Sequence, residues 1–316
     1  VRESIGDSVE YVEQREQLGT GHAVLQTKEL LAGEHGTIMV LCGDTPLLTA
    51  ELLARFHEEH VQAGAKATVL TAIMPNAKGY GRVIRRENGE VLKIVEHKDA
   101  TLEEREIHEV NAGIYCFDTQ ALFAALAKVT NDNAQGEYYL PDVLSILRDA
   151  GEKIWAVTAD NYESTLGINS RSQLAVAERI LRRRKAEELM ADGVTIIDPH
   201  TTFIDAEVRV GMDTVIYPFT FLEGSTVIGT DCEIGPNVRF QNMVVGDNVK
   251  SHYVYAHDAE VENGAELGQF NHIRPDSHIG AGVKMGNFVE VKNSNIGAGS
   301  KLPHLSYIGD CDLGAH

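Results

Sequence analysis

Cysteine is scarce and scattered in this chain. Cys42, Cys116, Cys232 and Cys311 lie far apart and form no CxxC pair. Cys42 and Cys116 sit inside apolar, strand-like runs, so the four read as thiols kept free in a reducing compartment. Basic residues are also in deficit: 28 Lys and Arg stand against 47 Asp and Glu, a formal charge of -19. That balance excludes sequence-independent binding to nucleic acid or to an anionic membrane surface. A phosphorylated ligand would have to be met by backbone N–H groups, a few placed cations and a divalent metal. No apolar run approaches the ~18 residues of a membrane span, and no signal-peptide pattern is present. The expectation is a cytoplasmic protein without membrane or nucleic-acid partners. The chain also lacks an initiator Met, starting at Val1, and it stops at His316 inside a repeating pattern. A fragment trimmed at both ends is expected.

What is present is enough for about two domains of ~100–200 residues. To about Asn169, apolar runs alternate with helix-like segments. The stretch TIMVLCGDTPLLT opens with a strand over 37–43 and breaks at Gly43-Asp44, and Pro46 prevents continuation. Residues 49–64 predict an amphipathic helix with Glu51 in its first turn and Gly64 at its end, and 66–74 the next strand. This is a βαβ pattern, implying a parallel sheet covered on both faces. GRVIRRENGEVLKIVEH reads as an antiparallel hairpin turning at Asn88-Gly89. A mixed, mostly parallel α/β domain of Rossmann-like type follows. In such sheets ligands bind beyond the carboxyl ends of strands, where Asp44 falls. A further helix is expected over 23–34.

Residues 171–191 contain no Gly or Pro. Leu174, Ala177, Leu181 and Leu189 recur near helical spacing, predicting one long helix closed by Asp192-Gly193. Its run Arg182-Arg183-Arg184-Lys185 reads as a solvated face rather than a nucleic-acid patch.

Beyond residue 193 the period becomes six. Val210, Ile216, Leu222, Ile228, Ile234 and Phe240 form one series, Val261, Leu267, Ile273, Ile279, Met285 and Val291 a second at shifted phase, and Ile296, Leu302 and Ile308 a third. A six-residue period fits no α-helix; it is the hexapeptide signature of a parallel β-helix, with the aliphatic residue inside and Gly, Asn or Asp at the corners. The expected organisation is an α/β domain over 1–169, a linker helix over 170–192, and a left-handed β-helix over 193–316.

Ten motifs stand in order along this framework: EQLGTGHA, CGDTPLL, GYGRV, VEHKDAT, NAGIYCF, NAQGEYYLPD, GINSR, IRPDS, GNFVEVK and LPHLSYIGD. Together they resemble the bifunctional N-acetylglucosamine-1-phosphate uridyltransferase and glucosamine-1-phosphate acetyltransferase family, known as GlmU. The resemblance implies that Asp44 and Asn169 hold Mg²⁺, that Gln14, Gly19 and Thr20 meet the uracil and ribose side of the nucleotide, and that Gly81, Glu96 and Asn111 hold the N-acetylglucosamine. In the β-helix it implies His304 as the base that deprotonates the amine of glucosamine 1-phosphate, with Arg274, Lys292 and Tyr307 binding the sugar phosphate. Acetyl-CoA and UTP would be co-substrates, N-acetylglucosamine 1-phosphate the intermediate, and the assembly a homotrimer. On the residues alone, Gly81 reads equally as a loop glycine, Glu96 as a surface carboxylate and His304 as a solvated side chain.

Two departures from the family pattern are visible. Cys42 stands where some members carry Tyr. The family's glycine-rich phosphate loop has no counterpart in the chain, so residues 1–316 alone are expected to show no measurable uridylyl transfer. The alternatives are a monofunctional sugar-1-phosphate nucleotidyltransferase with a structural β-helix, and a noncatalytic scaffold relative.

Overall fold

The computed structural model describes residues 2–31, 33–87 and 89–315, in two units divided between Ala177 and Glu178. The first unit is built on β1 (Thr37–Val40), β2 (Ala67–Ile73), β3 (Arg82–Arg85), β4 (Val91–Val95), β5 (Glu109–Asp118) and β6 (Ile154–Thr158). The ten-residue β5 is the spine. One edge of it carries β2 antiparallel; the other is shared by β1 and β3, also antiparallel. β6 lies beyond β2 in parallel, and β4 beyond β3 antiparallel.

The mixed sheet is as expected, but its neighbours are not. The crossover from β1 through a helix to β2 exists, and the two strands do run the same way. They are separated by β5, so β2 and β6 form the parallel pair among the described residues and the sheet is not mostly parallel. A βαβ pattern sets strand direction; it does not say which later strand slots between.

The crossover helix spans Ala50–Ala63. It starts where Thr49 accepts the Leu52 N–H and ends at Gly64 with φ 57°, as its sequence required. Its Leu52 and Phe56 cover one sheet face, against Leu70, Ile114 and Val157. Helices Thr119–Leu126 and Asp142–Asp149 cover the other, against Ala67, Val69 and Phe117. Neighbouring residues of one strand thus feed opposite cores, which is the two-residue alternation of a strand covered on both sides.

Four local expectations change. The helix expected over 23–34 is replaced by Thr20–Leu25 and a single turn, Lys28–Leu31, with Ala32 outside the described residues. Between them Thr27 donates its hydroxyl to the Val24 carbonyl at 2.7 Å, the local competition by which threonine interrupts a helix. β1 ends at Val40, so Cys42 is half-buried in the turn that follows. The β3–β4 hairpin forms, closed by the Arg86 N–H to the Glu90 carbonyl at 2.8 Å; Asn88 lies outside the described residues. The long helix spans Arg171–Ala191, yet its buried residues include Ala177, Ile180, Ala186 and Leu189 while Leu174 and Leu181 face solvent. Its basic run is not uniformly solvated: Arg182 stacks 4.2 Å over Phe203, and Lys185 is largely covered and pairs with Glu188 at 2.8 Å.

The second unit is a parallel β-helix of three seven-stranded sheets. Strand i pairs with strand i+3 in register, Ile216 beside Ile234 and Leu222 beside Phe240. The aliphatic series forms the continuous core, with Val210 and Ile308 partly buried at its ends. The shift of phase has a physical cause: past Phe240 the inward positions Val245, Ser251, Ala256 and Val261 include five-residue sides, and the small Ser251 and Ala256 fill the narrower turn. Three six-residue sides with left-handed corners such as Asp213, Asp231 and Asn248 are the geometry of a left-handed parallel β-helix.

Because Leu222 is fully buried in this stack, Leu222→Ala should cost about 2–5 kcal/mol. Val227→Ala, whose side chain points outward, should cost under about 1 kcal/mol. Denaturant unfolding followed by circular dichroism compares them, and equal losses would mean the inward assignment is wrong.

Candidate active sites

The turn after β1 builds the first site. Thr45 donates both its N–H and its hydroxyl to the Cys42 carbonyl, at 3.4 and 2.7 Å, which holds Gly43-Asp44 out from the strand end. The Asp44 carbonyl accepts the Ile168 N–H at 2.9 Å, bringing a segment distant in sequence to the same place. A Cβ built on Gly167 would lie 3.5 Å from Asp44 Oδ2 and 3.9 Å from Asn169 Nδ2, so the ends of both side chains lie beside Gly167. Asp44 carries no cationic partner among the described residues. An unpaired carboxylate beside a carboxamide is an oxygen donor set suited to a hard divalent cation that keeps several waters. Asn169 is steadied through its N–H, which donates to Gln173 Oε1 at 2.7 Å.

A cavity of about 560 Å³ opens beside this turn. Thr20, Glu96 and Asn111 of the expected set line it, together with Cys42, Tyr115 and Tyr139. Gly81 accepts the Asn111 N–H at 2.9 Å, and a Cβ at Gly81 would come within 3.2 Å of Glu96 Oε1, so glycine is what leaves that carboxylate its place. Gln14 and Gly19 brace the rim and do not line the cavity. Gln14 donates to the Gly19 carbonyl at 3.1 Å and meets His22 Nδ1 at 3.0 Å. Gly19, at φ 106°, has no room for a side chain, since a Cβ would meet the Tyr138 carbonyl oxygen at 2.7 Å. Thr20 Oγ1 accepts the Leu140 N–H at 3.1 Å.

Burial disfavours the charged form of acids in and near the pocket. Burial, with Asp99 and Asp142 nearby, pushes Glu96 above the usual carboxylate range; burial and Asp99 do the same to Asp142. Burial, then Asp44, raises the Cys42 thiol, and burial raises the Tyr115 phenol. Cys42 is therefore a protonated wall residue, with its Sγ 3.3 Å from the Gly113 carbonyl that accepts from it.

Tyr115 was not singled out from sequence, although the glycine two residues before it in NAGIY is the signal for a kinked strand.

On the β-helix, Lys292 and Tyr307 project from two strands of one sheet, and Arg274 directly follows the strand Asn271–Ile273 of the same sheet. Tyr307 is in register with Glu290. Arg274 pairs with Glu290 at 3.1 Å and Lys292 with Asp310 at 3.3 Å. His304 is exposed on the corner before that strand, and its backbone packs on Gly286, where a Cβ would lie 2.7 Å from the His304 nitrogen. Among the described residues it makes no hydrogen bond to Arg274, Lys292 or Tyr307. That both cations already hold carboxylates depends on pairing between turns and is not visible in the residue pattern. Such exposed pairs are worth under about 1 kcal/mol, so a phosphate dianion can displace them.

The nucleotidyl transferase family model matches residues 2–167. The chain is 52% identical over 316 residues to the bifunctional protein GlmU of Geobacillus sp. (strain WCH70), covering all of this chain and 69% of that one. It is 53% identical over 315 residues to the GlmU of Geobacillus thermodenitrificans, again over 69% of its length. With the GlmU of Listeria monocytogenes serotype 4a it shares 46% over 314 residues, 99% of this chain and 69% of the relative.

The raised Glu96 gives a signed prediction. Its folded form binds a proton more tightly than the unfolded chain does, so Glu96 favours folding below the ordinary glutamate range, and that contribution is lost as pH rises through its folded pKa. Glu96→Gln should therefore raise the melting temperature at about pH 8 and leave it unchanged at about pH 4. A lower melting temperature at the higher pH would show that Glu96 is stabilised as an anion.

Proposed function

The chain belongs to the family of bifunctional GlmU proteins, and from that membership we propose a two-step route to UDP-N-acetylglucosamine. Acetyl-CoA first acetylates glucosamine 1-phosphate at the β-helix; UTP then converts N-acetylglucosamine 1-phosphate into the nucleotide sugar and pyrophosphate in the α/β unit. The observation that carries the reading is the proximity of the Asp44 and Asn169 side-chain ends beside Gly167, next to a cavity of about 560 Å³.

In the transfer step, a phosphate oxygen of the sugar attacks the α-phosphorus of UTP and pyrophosphate leaves. Asp44 and Asn169 would hold Mg²⁺, which supplies charge neutralisation for the phosphates. Glu96, Asn111 and Gly81 face the sugar, while Gln14, Gly19 and Thr20 shape the side toward the base. In the acetyl step, the amine attacks the thioester carbonyl, His304 takes the amine proton, and the CoA thiol departs. An imidazole suits this because it ordinarily titrates near working pH. Arg274 and Lys292 exchange Glu290 and Asp310 for the sugar phosphate, with Tyr307 beside them.

A homotrimer is supported by one edge of the β-helix. Phe219, Tyr253, Phe270, Phe288 and Leu305 occupy equivalent corners in left-handed conformation, φ 57–61°, and all are exposed, Leu305 by 76%. Each such corner costs a non-glycine residue about 1–2 kcal/mol. Tyr253, Phe270 and Phe288 contact one another in series, at centroid distances of 5.4 and 5.0 Å. The row continues to Leu305, directly after His304, so further copies of the chain that cover it would also enclose the imidazole. The four free thiols fit a reducing cytoplasm, and no helix among the described residues is long and apolar enough to cross a membrane.

Two measurements test this. With acetyl-CoA and glucosamine 1-phosphate, the protein should release thiol, and His304→Ala should abolish release while leaving Mg²⁺-dependent binding of UDP-N-acetylglucosamine intact. Full thiol release by His304→Ala would remove the imidazole from the reaction. In sedimentation, Phe270→Asp should shift trimers toward single chains; an unchanged distribution would exclude that edge as the contact.

A further inference from the structure

β5 is not a regular strand. It pairs with β2 at Tyr115–Val69 and at Asn111–Thr71, so Ala112, Gly113 and Ile114 on β5 stand against Leu70 alone. Gly113 takes φ 74° to allow this bulge. Four residues of regular strand would separate Asn111 and Tyr115 by about 13 Å. The bulge instead brings Asn111 Nδ2 to 2.7 Å from the Tyr115 hydroxyl oxygen.

The hydrogen-bond chemistry then fixes the amide. The Gly113 N–H can only donate, and it does so to Asn111 Oδ1 at 2.9 Å. The carboxamide oxygen is therefore identified, the nitrogen faces Tyr115, and the hydroxyl accepts. Asn111 keeps one N–H and one oxygen lone pair for the cavity, in a set orientation. Tyr115 is itself held: it is 2% exposed and stacks on Phe117 at 5.6 Å. Gly113 is fixed from its other side by the Cys42 thiol. Both Asn111 and Tyr115 line the cavity.

We propose that Tyr115 is a positioning residue that locks the Asn111 carboxamide, and that this lock makes the pocket prefer an acetamido sugar to one with a hydroxyl at the same carbon. The proposal rests on the reading that Asn111 faces the sugar. An amide held in one orientation offers matched donor and acceptor groups to another amide. Held by the Gly113 N–H alone, it can swing about that one bond and pair as well with a hydroxyl, and discrimination falls.

The test uses the full chain and Tyr115→Phe, which removes one oxygen atom. In the ligand-free protein, NMR of the Asn111 side-chain amide, assigned with Asn111→Ala, should show one of its two N–H resonances displaced by the bond to Tyr115 in the wild type and returned toward the ordinary side-chain amide position in the variant. Unchanged resonances would overturn the lock whatever the ligand. Calorimetry with Mg²⁺ then compares UDP-N-acetylglucosamine with UDP-glucose. The wild type should prefer the acetamido sugar, and Tyr115→Phe should cut that preference about five- to tenfold while UDP-glucose affinity stays within about twofold. Adding Tyr115→Phe to Asn111→Ala should change the preference no further, whereas a general packing role would add its loss again. A wild type that prefers the acetamido sugar and a variant that keeps the preference overturn this proposal alone. A wild type without preference removes Asn111 from the sugar and takes the proposal with it.

Discussion

The hydrogen bond from the Ile168 N–H to the Asp44 carbonyl, 2.9 Å long, is the constraint on which the first unit turns. It joins the turn after β1 to the last segment before the long helix. Without it, Asp44 would be one more exposed carboxylate at a strand end and Asn169 a solvated amide. With it, the ends of the two side chains lie on the same side, beside Gly167. Loop-closure entropy for so long a separation grows only slowly with length, so a well-packed sheet between the two points can hold the contact.

At several positions in each unit the chain departs from what is locally preferred. Burial raises Glu96 and Asp142 above the usual carboxylate range, β5 is kinked at Gly113, and β-helix corners that would suit glycine carry Phe, Tyr and Leu. Each departs from what local propensity favours, and such departures cluster at functional positions. The surrounding cores are regular. β2 is buried over six consecutive residues, and the inward row of the β-helix is aliphatic nearly throughout.

Local chemistry explains which features were legible in the sequence. Thr49 and Gly64 bound their helix because cap and stop act within a few residues. The six-residue rows declared the β-helix because each turn repeats the same burial. What lay hidden depends on distant partners. That β5 separates β1 from β2 is decided by pairing across many residues. The burial of Ile180 in place of Leu181 follows from what the helix packs against. The carboxylate partners of Arg274 and Lys292 come from neighbouring turns, and Tyr115 reaches Asn111 only through a bulge. The roles expected of Asp44, Asn169 and His304 came from resemblance to a family, and the residues alone left their plainer readings open.

The proposed cation site is shared by Asp44 and Asn169. Manganese binding followed by electron paramagnetic resonance, with UDP-N-acetylglucosamine present, tests it most directly. One bound ion is expected in the wild type, with a loss of at least about tenfold in affinity in both Asp44→Ala and Asn169→Ala. A variant set in which one substitution weakens binding and the other leaves it untouched would contradict a shared site.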